Sequence, residues 1–301
     1  MTKIKMNIEP VLRCLPKNIS AAAAKYEVSE IRLLAGRPAM VYIGAEGFFV
    51  TPAGDITTSE DGGTVITKTG VGEVFRLACD NSVYSCEDEI KNGYVTIEGG
   101  HRIGICGSAV IKNGEITYIK NISALNIRIA RQAIGSAKEI FPVVLDKYVR
   151  NTLIVSPPGC GKTTILRDLA RMLGYKYKVG IADERSEIAA VYRGTPQNDV
   201  GLRSVVMDAC PKEFAINMIL RTMGVDIIIT DEIGSSGDAS AIGNAFNAGV
   251  KIIASAHGYS KKDVLSRPGI KELVGTGGFE RVVVLSRRNG AGTIEEVSEC
   301  L

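Results

Sequence analysis

One stretch of this sequence, residues 152–166, constrains the fold more than any other because it combines a strand, a glycine-containing loop and a helix. The apolar run from Thr152 to Val155 predicts a buried strand. From Thr163 to Leu173, apolar residues recur at the spacing of one helix face, and Gly174 ends the helix. This order of elements is typical of domains that bind a polyphosphate at a helix N-terminus.

The loop between these two elements has the residue types that hold phosphate groups. Gly159 and Gly161 allow backbone N–H groups to turn toward phosphate oxygens, and the helix N-terminus adds partial positive charge. We expect Lys162 to reach the β- and γ-phosphates and the hydroxyl of Thr163 to bind Mg²⁺. The predicted nucleotide-binding residues are Ser156, Pro157, Pro158, Gly159, Cys160, Gly161, Lys162, Thr163 and Thr164.

One position departs from the strict phosphate-loop pattern G-x-x-x-x-G-K-[ST]. Ser156 stands where the first glycine is usual, and serine is small enough to be tolerated there. The alternative interpretation is a turn of glycine and proline that is followed by Lys-Thr by chance. The strand and the helix on either side of the loop favour nucleotide binding.

The second half of the chain alternates between apolar strands and helices, which predicts a parallel, doubly wound α/β sheet. A helix after Pro211 leads to one of these strands, and its predicted buried residues are Phe214, Ile216, Met218, Ile219 and Met223. The predicted strands are residues 152–155, 178–182, 226–230, 251–254 and 281–285.

The first half has a different pattern, with short β runs, helices and two hairpin signals at Gly99-Gly100 and Asn113-Gly114. Phe141-Pro142, after Gly135-Ser136, marks the change to the alternating pattern. We therefore predict a mixed α+β N-terminal domain over residues 1–140, with a linker to about 142, and an α/β domain over residues 141–301.

Two carboxylates follow a predicted buried strand in Ile227-Ile-Ile-Thr-Asp231-Glu232, at the sheet edge where ligands bind in open α/β folds. This is a Walker B pattern. Asp231 is expected to hold Mg²⁺ through water, and Glu232 to orient and deprotonate the attacking water. An apolar run that ends in Asp-Glu is also a common strand end without function. Its position, one strand and helix pair after Lys162, favours the catalytic interpretation.

Two other predicted strand ends carry candidate catalytic residues. Asp183-Glu-Arg-Ser-Glu187 is either a second acidic wall of the site or a solvated strand end. His257 ends a later strand, where it could contact a γ-phosphate, although a lone histidine is more often structural. On this basis Glu187 and His257 are candidates beside Glu232 and Lys162.

Composition argues against several classes of protein. The net charge of +3 and the lack of tryptophan do not suit an electrostatic nucleic-acid platform, so no nucleic acid is expected as a partner. Seven cysteines without a C-x-x-C pair are expected to be reduced. The apolar runs are far shorter than the roughly 18 residues of a spanning helix, and the N-terminus lacks a secretory signal. These features predict a cytoplasmic protein.

The sequence resembles the stage III sporulation protein AA family, mother-cell ATPases of endospore-forming bacteria that are similar to the ATPases of type II and type IV secretion and type IV pili. The resemblance covers nearly the whole chain. Its specific segments are Ile31-Arg-Leu-Leu-Ala-Gly-Arg-Pro, Gly100-His-Arg-Ile-Gly-Ile-Cys-Gly, Ile122-Ser-Ala-Leu-Asn-Ile-Arg-Ile-Ala-Arg131, Ser156 to Thr164, Asp183-Glu-Arg-Ser-Glu-Ile, Asp231-Glu-Ile-Gly and Phe279-Glu-Arg-Val-Val-Val-Leu-Ser-Arg-Arg-Asn-Gly.

The resemblance implies a RecA-like P-loop NTPase domain that uses ATP and Mg²⁺. It also implies a homo-oligomer, a hexameric ring, that serves membrane-embedded channel proteins between mother cell and forespore. Residues 183–187 look like the acidic box of secretion ATPases, and His257 looks like part of their histidine box. Glu232 matches the glutamate of the secretion ATPases. Asp231 departs from their pattern, which has glycine before that glutamate.

Two arginines before the domain boundary, Arg128 and Arg131, have two interpretations. In a strand-like run they read as solvated charges on an edge strand. In secretion ATPases, arginines from the N-terminal domain and linker reach the nucleotide, so the resemblance implies catalytic roles for Arg128 and Arg131, with Arg102 as a further candidate. A guanidinium suits this role because it neutralises charge on the transferring phosphoryl group.

The sequence thus predicts a Mg²⁺-dependent ATPase that energises a secretion or feeding channel from its cytoplasmic face and is held at the membrane through partner proteins. Two other classes stay open. One is a nucleotide-gated binding or assembly module with little turnover, against which Glu232 argues. The other is a RecA-like nucleic-acid motor, against which the low net charge argues.

Overall fold

The computed structural model describes residues 2–5, 7–275 and 277–300, and it divides into two compact units. The units are Lys5–Arg131 and residues 132–300 together with residues 2–4. The division lies at Arg131, whereas the sequence pattern placed a boundary near residue 140. Gly135-Ser136, which suggested a linker, is followed by buried residues of the second core, Ala137, Ile140 and Val144. Gly135 and Ser136 therefore lie in a turn inside the second unit.

The N-terminal part of the chain is a mixed α and β structure built on an antiparallel sheet. Short 3₁₀ turns lie at Glu60–Gly62 and Val83–Cys86. The strands and helices are β1 (Thr2–Lys5), α1 (Glu9–Cys14), α2 (Lys17–Lys25), β2 (Glu30–Leu34), β3 (Arg37–Pro38), β4 (Met40–Ile43), β5 (Glu46–Val50), β6 (Ile56–Thr57), β7 (Val65–Ile66), α3 (Lys68–Ala78), α4 (Glu87–Lys91), β8 (Tyr94–Ile97), β9 (His101–Lys112) and β10 (Glu115–Arg128).

The antiparallel sheet has the strand order β6-β5-β4-β2-β10-β9-β8. Both predicted hairpins are present in it, since β8 and β9 are joined at Gly99-Gly100 and β9 and β10 at Asn113-Gly114. Asn113 and Gly114 have φ values of 55° and 83°, the left-handed conformation that a tight two-residue hairpin requires. Inward residues of β2, such as Ile31 and Leu33, alternate with more exposed ones and join the core of this unit.

The C-terminal unit is a parallel α/β structure, as predicted. The first strand, β11 (Arg131–Ile134), begins at the last residue of the N-terminal unit. The elements that follow it are α5 (Phe141–Val144), β12 (Thr152–Ser156), α6 (Lys162–Gly174), β13 (Val179–Asp183), β14 (Val191–Tyr192), β15 (Thr195–Pro196), β16 (Ser204–Asp208), α7 (Lys212–Thr222), β17 (Ile227–Thr230), α8 (Ser236–Asn247), β18 (Lys251–His257), α9 (Lys261–Leu265), α10 (Pro268–Gly275), β19 (Arg281–Ser286) and β20 (Thr293–Glu299).

The main sheet of this unit has the strand order β16-β13-β17-β18-β12-β19-β20. The five predicted strands are β12, β13, β17, β18 and β19, and neighbours among them pair in parallel. Two edge strands add to the predicted sheet: β16 pairs in parallel with β13, and β20 pairs antiparallel with β19. Every residue of these two edge strands is at least partly exposed, unlike the fully buried β12, β13 and β17, and β20 (Thr-Ile-Glu-Glu-Val-Ser-Glu) also lacks an apolar run.

Helices bury both faces of this sheet. On β12, Leu153 and Val155 belong to one apolar cluster and Ile154 to another, because successive strand residues point to opposite faces. The first cluster includes residues of α7, α8 and α10, and the second includes residues of α5 and α6. Burial on both sides explains why the central strands are continuous apolar runs.

Helix α7 buries fewer apolar residues than the sequence predicted. Ile216 and Ile219 are buried, but Phe214, Met218 and Met223 are about half-exposed or more. A helix presents only one side to a sheet, and Phe214 and Met218, four residues apart, lie together on another side. The prediction of burial for these three residues is therefore wrong.

Gly180 in β13 is a position where a side chain would disturb this packing. A Cβ on Gly180 would lie 2.5 Å from Cγ2 of Ile219, closer than real Cβ contacts allow. We expect Gly180→Ala to lower the free energy of unfolding by about 1–3 kcal/mol through overpacking. Gly243→Ala in α8 is the matched control, since nothing lies within 4 Å of its Cβ position, and it should stabilise the helix by about 0.5–1 kcal/mol. Equal urea midpoints for the two variants would contradict this account of the packing.

Candidate functional site

The phosphate-loop sequence forms the connection between β12 and α6. Gly159 and Gly161 have φ values of 71° and 87°, so the loop uses the left-handed conformation that favours glycine. Gly161 is the N-cap residue of α6, which begins at Lys162. Ser156, in the position where glycine is usual, is fully buried, and its hydroxyl donates to the carbonyl of Pro157 at 2.9 Å. Serine is thus accommodated inside the loop.

The remaining predicted loop residues differ in exposure. Cys160 is buried, and its thiol contacts the carbonyl oxygen of Pro158 at 3.8 Å. Thr163 and Thr164 lie half-buried in the first turn of α6, and the carbonyl oxygen of Thr164 accepts a hydrogen bond from the hydroxyl of Ser136. The Thr163 hydroxyl has no hydrogen-bond partner among the described residues, so it is available to a ligand at the helix N-terminus.

The ammonium group of Lys162 lies against the loop and the end of β18. Its Nζ donates to the carbonyl oxygen of Ser156 at 3.0 Å and lies 2.9 Å from Nδ1 of His257. Burial lowers the pKa of Lys162, and the nearby carboxylate of Glu232 opposes that shift. The ammonium is therefore held by neutral groups, which a phosphate could replace as partners.

His257 connects Lys162 to the predicted catalytic glutamate. Its Nε2 lies 2.6 Å from Oε1 of Glu232, so the two ring nitrogens contact Lys162 on one side and Glu232 on the other. These three residues come from α6, from the end of β18 and from the residue pair that follows β17. The structure therefore brings together three of the residues that the sequence named as catalytic candidates.

The backbone at Glu232 is unusual. Its φ is 27°, in the left-handed region that residues other than glycine rarely adopt. The N–H of Glu232 donates to Oγ of Ser255, a buried residue of β18, at 3.0 Å. Arg185 lies with Nη1 3.6 Å from Oε2 of Glu232. The carboxylate thus has a cation and an imidazole as neighbours, and its backbone is fixed by the adjacent strand.

Asp231 does not face solvent but pairs with a lysine that the sequence analysis missed. Nζ of Lys212, the first residue of α7, lies 3.3 Å from Oδ1 of Asp231 and 2.6 Å from Oε2 of Glu184. Asp231 Oδ1 has no well-aligned hydrogen bond among the described residues, so the contact with Lys212 is an ion pair. Lys212 and Asp231 are both buried, and removing one partner from such a pair typically costs about 3–5 kcal/mol.

The pKa shifts of this pair follow from burial and charge. Burial raises the pKa of Asp231, and the Lys212 charge opposes that shift without cancelling it. Burial alone would lower the pKa of Lys212, but its hydrogen bond with Glu184 and the charge of Asp231 outweigh burial and raise that pKa. No pattern in the sequence identified Lys212, because its partner Asp231 follows β17, and the whole of α7 separates the two residues in the chain.

The acidic segment 183–187 is divided between structural and exposed roles. The Asp183 carboxylate is fully buried and accepts hydrogen bonds from the N–H groups of Glu187, Ile188 and Ala189 at 2.8–3.2 Å. Burial raises the pKa of Asp183 to about 6, and these three N–H groups oppose the shift. Glu187 has its backbone carbonyl bound by Arg167 at 2.6 Å. Among the described residues, no hydrogen bond or ion pair joins Glu187 to Lys162, Glu232 or His257.

The candidate arginines of the N-terminal unit have different local environments. Arg128, the last residue of β10, is exposed and lies opposite Arg102 and Glu30 in the sheet register. Arg102 places its guanidinium 3.5 Å from the ring centroid of Tyr94. Arg131 donates from Nη2 to the carbonyl oxygens of Glu27 and Val28 at 3.0 and 3.2 Å. Arg131 is thus used inside its own unit, whereas Arg128 is the exposed one of the pair.

Comparisons with known proteins agree with this architecture. A family model described as "Sporulation stage III, protein AA" matches residues 4–300. Stage III sporulation protein AA of Bacillus subtilis (strain 168) is 40% identical over 277 residues, which are 90% of this chain and 86% of that protein. Identity at this level over nearly the full length shows common descent.

Solved structures of a pilus retraction motor and of an ATPase share the fold at much lower identity. The pilus retraction motor PilT with bound ADP has a TM-score of 0.59 and 16% identity, over 90% of this chain and 77% of that chain. The Legionella pneumophila ATPase DotB has a TM-score of 0.56 and 13% identity, over 91% of this chain and 75% of that chain. The fold is therefore the predicted RecA-like P-loop fold preceded by a sheet-containing unit, and the chain belongs to the sporulation stage III protein AA family.

Proposed function

We propose that this protein is an ATPase that binds ATP at the phosphate loop and hydrolyses it with Mg²⁺ bound. The contact chain Lys162–His257–Glu232 carries the proposal, because it connects the predicted phosphate-binding cation to the predicted general base. Two proteins of similar fold, the ATPase DotB and the pilus retraction motor PilT with its bound ADP, support the same activity. We assign ATP rather than another nucleotide on the basis of these two similar structures.

In the proposed reaction, water attacks the γ-phosphorus of ATP and the bond to the ADP oxygen breaks. Glu232 orients this water and accepts its proton. Lys162 exchanges the carbonyl oxygen of Ser156 and the ring of His257 for phosphate oxygens, and its charge neutralises them. His257 keeps the Glu232 carboxylate in position. When nucleotide binds, the release of Lys162 from His257 would couple binding to the position of this carboxylate.

The residues present fit Mg²⁺ that enters with the nucleotide. Mg²⁺ needs only one or two protein oxygens beside phosphates and water, and the hydroxyl of Thr163, which has no hydrogen bond to any described residue, is the first candidate. The buried Oδ1 of Asp231, which lacks a hydrogen bond among the described residues, is the second candidate. Lys212 already neutralises this carboxylate, so Asp231 would hold the metal through water. When bound, Mg²⁺ would neutralise phosphate charge.

Two other functions remain as alternatives, a nucleotide-gated binding module and a nucleic-acid motor. The ordered environment of Glu232, with contacts to Ser255 and His257, favours hydrolysis over the binding module. The net charge of +3 disfavours the motor. Turnover of radiolabelled ATP by the purified protein, with and without DNA and RNA, separates the three.

The cellular role that we propose follows from the family. We infer a homo-oligomer, a hexameric ring, that energises a channel between mother cell and forespore through membrane-embedded partner proteins, and a cytoplasmic position in the mother cell. Within the described ranges, no helix has the length and apolarity needed to cross a bilayer. Attachment to the membrane is therefore assigned to partners in this proposal.

Lys162→Ala tests the phosphate loop. This change should remove a charge-assisted contact worth about 1.5–3 kcal/mol, so ATP affinity should fall and hydrolysis should be lost. Lys176→Ala is the matched control, because Lys176 is an exposed lysine of the same unit that contacts Tyr177. Unchanged ATP affinity of Lys162→Ala by calorimetry would rule out the assignment.

Glu232→Gln tests the general base. The amide keeps the size of the side chain but cannot accept the proton of water, so ATP should bind and persist while turnover falls by roughly 10² or more. Glu187→Gln, measured in parallel, should retain most activity because Glu187 makes no contact with His257 or Lys162 among the described residues. If Glu187→Gln loses the activity and Glu232→Gln keeps it, the roles of the two glutamates must be exchanged.

Arg128 and Arg131 remain proposed hydrolysis residues of the N-terminal unit. We expect Arg128→Ala to retain ATP affinity and lose most ATPase activity, since arginine fingers contribute about 10³ to 10⁵ in rate. Arg131→Ala should have a milder or similar effect on activity and should also lower thermal stability, because two backbone carbonyls lose their donor. Full turnover in both variants, measured beside ATP affinity, would return both arginines to a structural or solvated role.

A further inference from the structure

The turn between β19 and β20 lies against the phosphate loop, and the function proposed above makes no use of it. A Cβ placed on Gly159 would lie 3.5 Å from Nη1 of Arg287. A Cβ placed on Gly161 would lie 3.6 Å from the backbone nitrogen of Gly292. Both glycines of the phosphate loop therefore have this turn, residues 287–292, as a direct neighbour.

The turn is held in place by its own hydrogen bonds. The hydroxyl of Thr293 donates to the carbonyl of Gly290 at 2.7 Å, and the N–H of Asn289 donates to that hydroxyl at 3.2 Å. The N–H of Arg288 donates to Oγ of Ser286 at 3.0 Å. Gly290, with φ of 108°, allows the reversal. None of these bonds uses the side chain of Arg287, so the turn presents that side chain without depending on it.

The two arginines of the turn differ in their partners. Arg288 lies with Nη1 3.6 Å from Oε2 of Glu295 in β20, which in turn accepts a hydrogen bond from Ser286. Arg287 has no hydrogen bond or ion pair with any residue in the ranges that the structure describes. The Arg288 guanidinium is therefore neutralised within the hairpin, whereas Arg287 lies beside Gly159 with no counter-ion among the described residues.

A chain of phosphate groups would supply the anionic partner that Arg287 does not have among the described residues. The guanidinium carries N–H donors in a planar fork that matches phosphate oxygens, and the loop beside it turns its backbone N–H groups toward the same ligand. Lys162 supplies one positive charge to the predicted phosphate site, and the charges on the β- and γ-phosphates exceed it. A second cation beside the loop would therefore strengthen binding of a nucleoside di- or triphosphate.

We propose that Arg287 is a nucleotide-binding residue that contacts the β- and γ-phosphate end of the nucleotide from the β19–β20 turn of the same chain. This inference rests on the proposed function, because it assigns a further residue to that site. A single carbon atom added to Gly161 would already be in van der Waals contact with Gly292, so the turn and Arg287 lie beside the loop before nucleotide arrives. The turn thereby supplies charge that the phosphate-loop sequence itself does not contain.

The test compares Arg287→Ala with Arg288→Ala in the full-length protein. Calorimetric titration with Mg-ATP and with Mg-ADP should show affinity about tenfold or more weaker for Arg287→Ala with both nucleotides, as expected for a lost charged hydrogen bond. Arg288→Ala removes the same charge from the same turn and should stay within about twofold of the unmodified protein. Thermal unfolding followed by circular dichroism establishes that both variants are folded.

The outcomes separate this inference from the function on which it rests. ATP affinity of Arg287→Ala within about twofold of the unmodified protein overturns the role of Arg287. Equal losses in Arg287→Ala and Arg288→Ala also overturn it, since they would report only the net charge of the turn. If Lys162→Ala loses affinity in the same series while Arg287→Ala keeps it, the nucleotide site stands and only Arg287 is excluded from it. If Lys162→Ala keeps affinity, the proposed function itself fails.

Discussion

The parallel pairing of β12 with β18 is the constraint on which the candidate site depends. In this register Ser156 lies opposite His257, so the end of the phosphate-loop strand and the histidine occupy the same level of the sheet. Strand β17 pairs on the other side of β18 and ends at Thr230, next to the two carboxylates. Because parallel strands end at one edge of the sheet, three segments far apart in sequence deliver Lys162, His257 and Glu232 to one place.

Burial determines how the charges at this edge are arranged. Asp183, Asp231, Lys162 and Lys212 are all removed from water to a large extent, and an isolated buried charge is costly. Each therefore has compensating groups: backbone N–H donors for Asp183, Lys212 for Asp231, and carbonyl and ring acceptors for Lys162. The contacts of Lys162 are with neutral atoms, so an anionic ligand can compete for it more easily than for Lys212.

The two acidic residues after β17 consequently differ in character. Asp231 is buried and paired with a lysine, whereas Glu232 is partly exposed and faces His257 and Arg185. In this chain the residue before the glutamate is thus used to anchor α7 to the end of β17. Glu232 is the more exposed of the two carboxylates, because Asp231 is taken up by this contact with Lys212.

The sequence by itself determined the strand and helix on either side of the phosphate-loop motif, the central strands of the sheet and the acidic strand end, because these rest on local periodicity and on glycine and lysine at fixed spacing. It also identified His257, since a polar residue that ends a buried run lies at the ligand edge of such a sheet. Only the tertiary structure decided that Lys212 neutralises Asp231, that Asp183 organises its own loop and that Arg287 lies beside Gly159. It also decided which side of α7 is buried. These facts depend on which strands are neighbours and on how helices and turns pack against them, and no periodicity in the chain encodes contacts between residues so far apart in sequence.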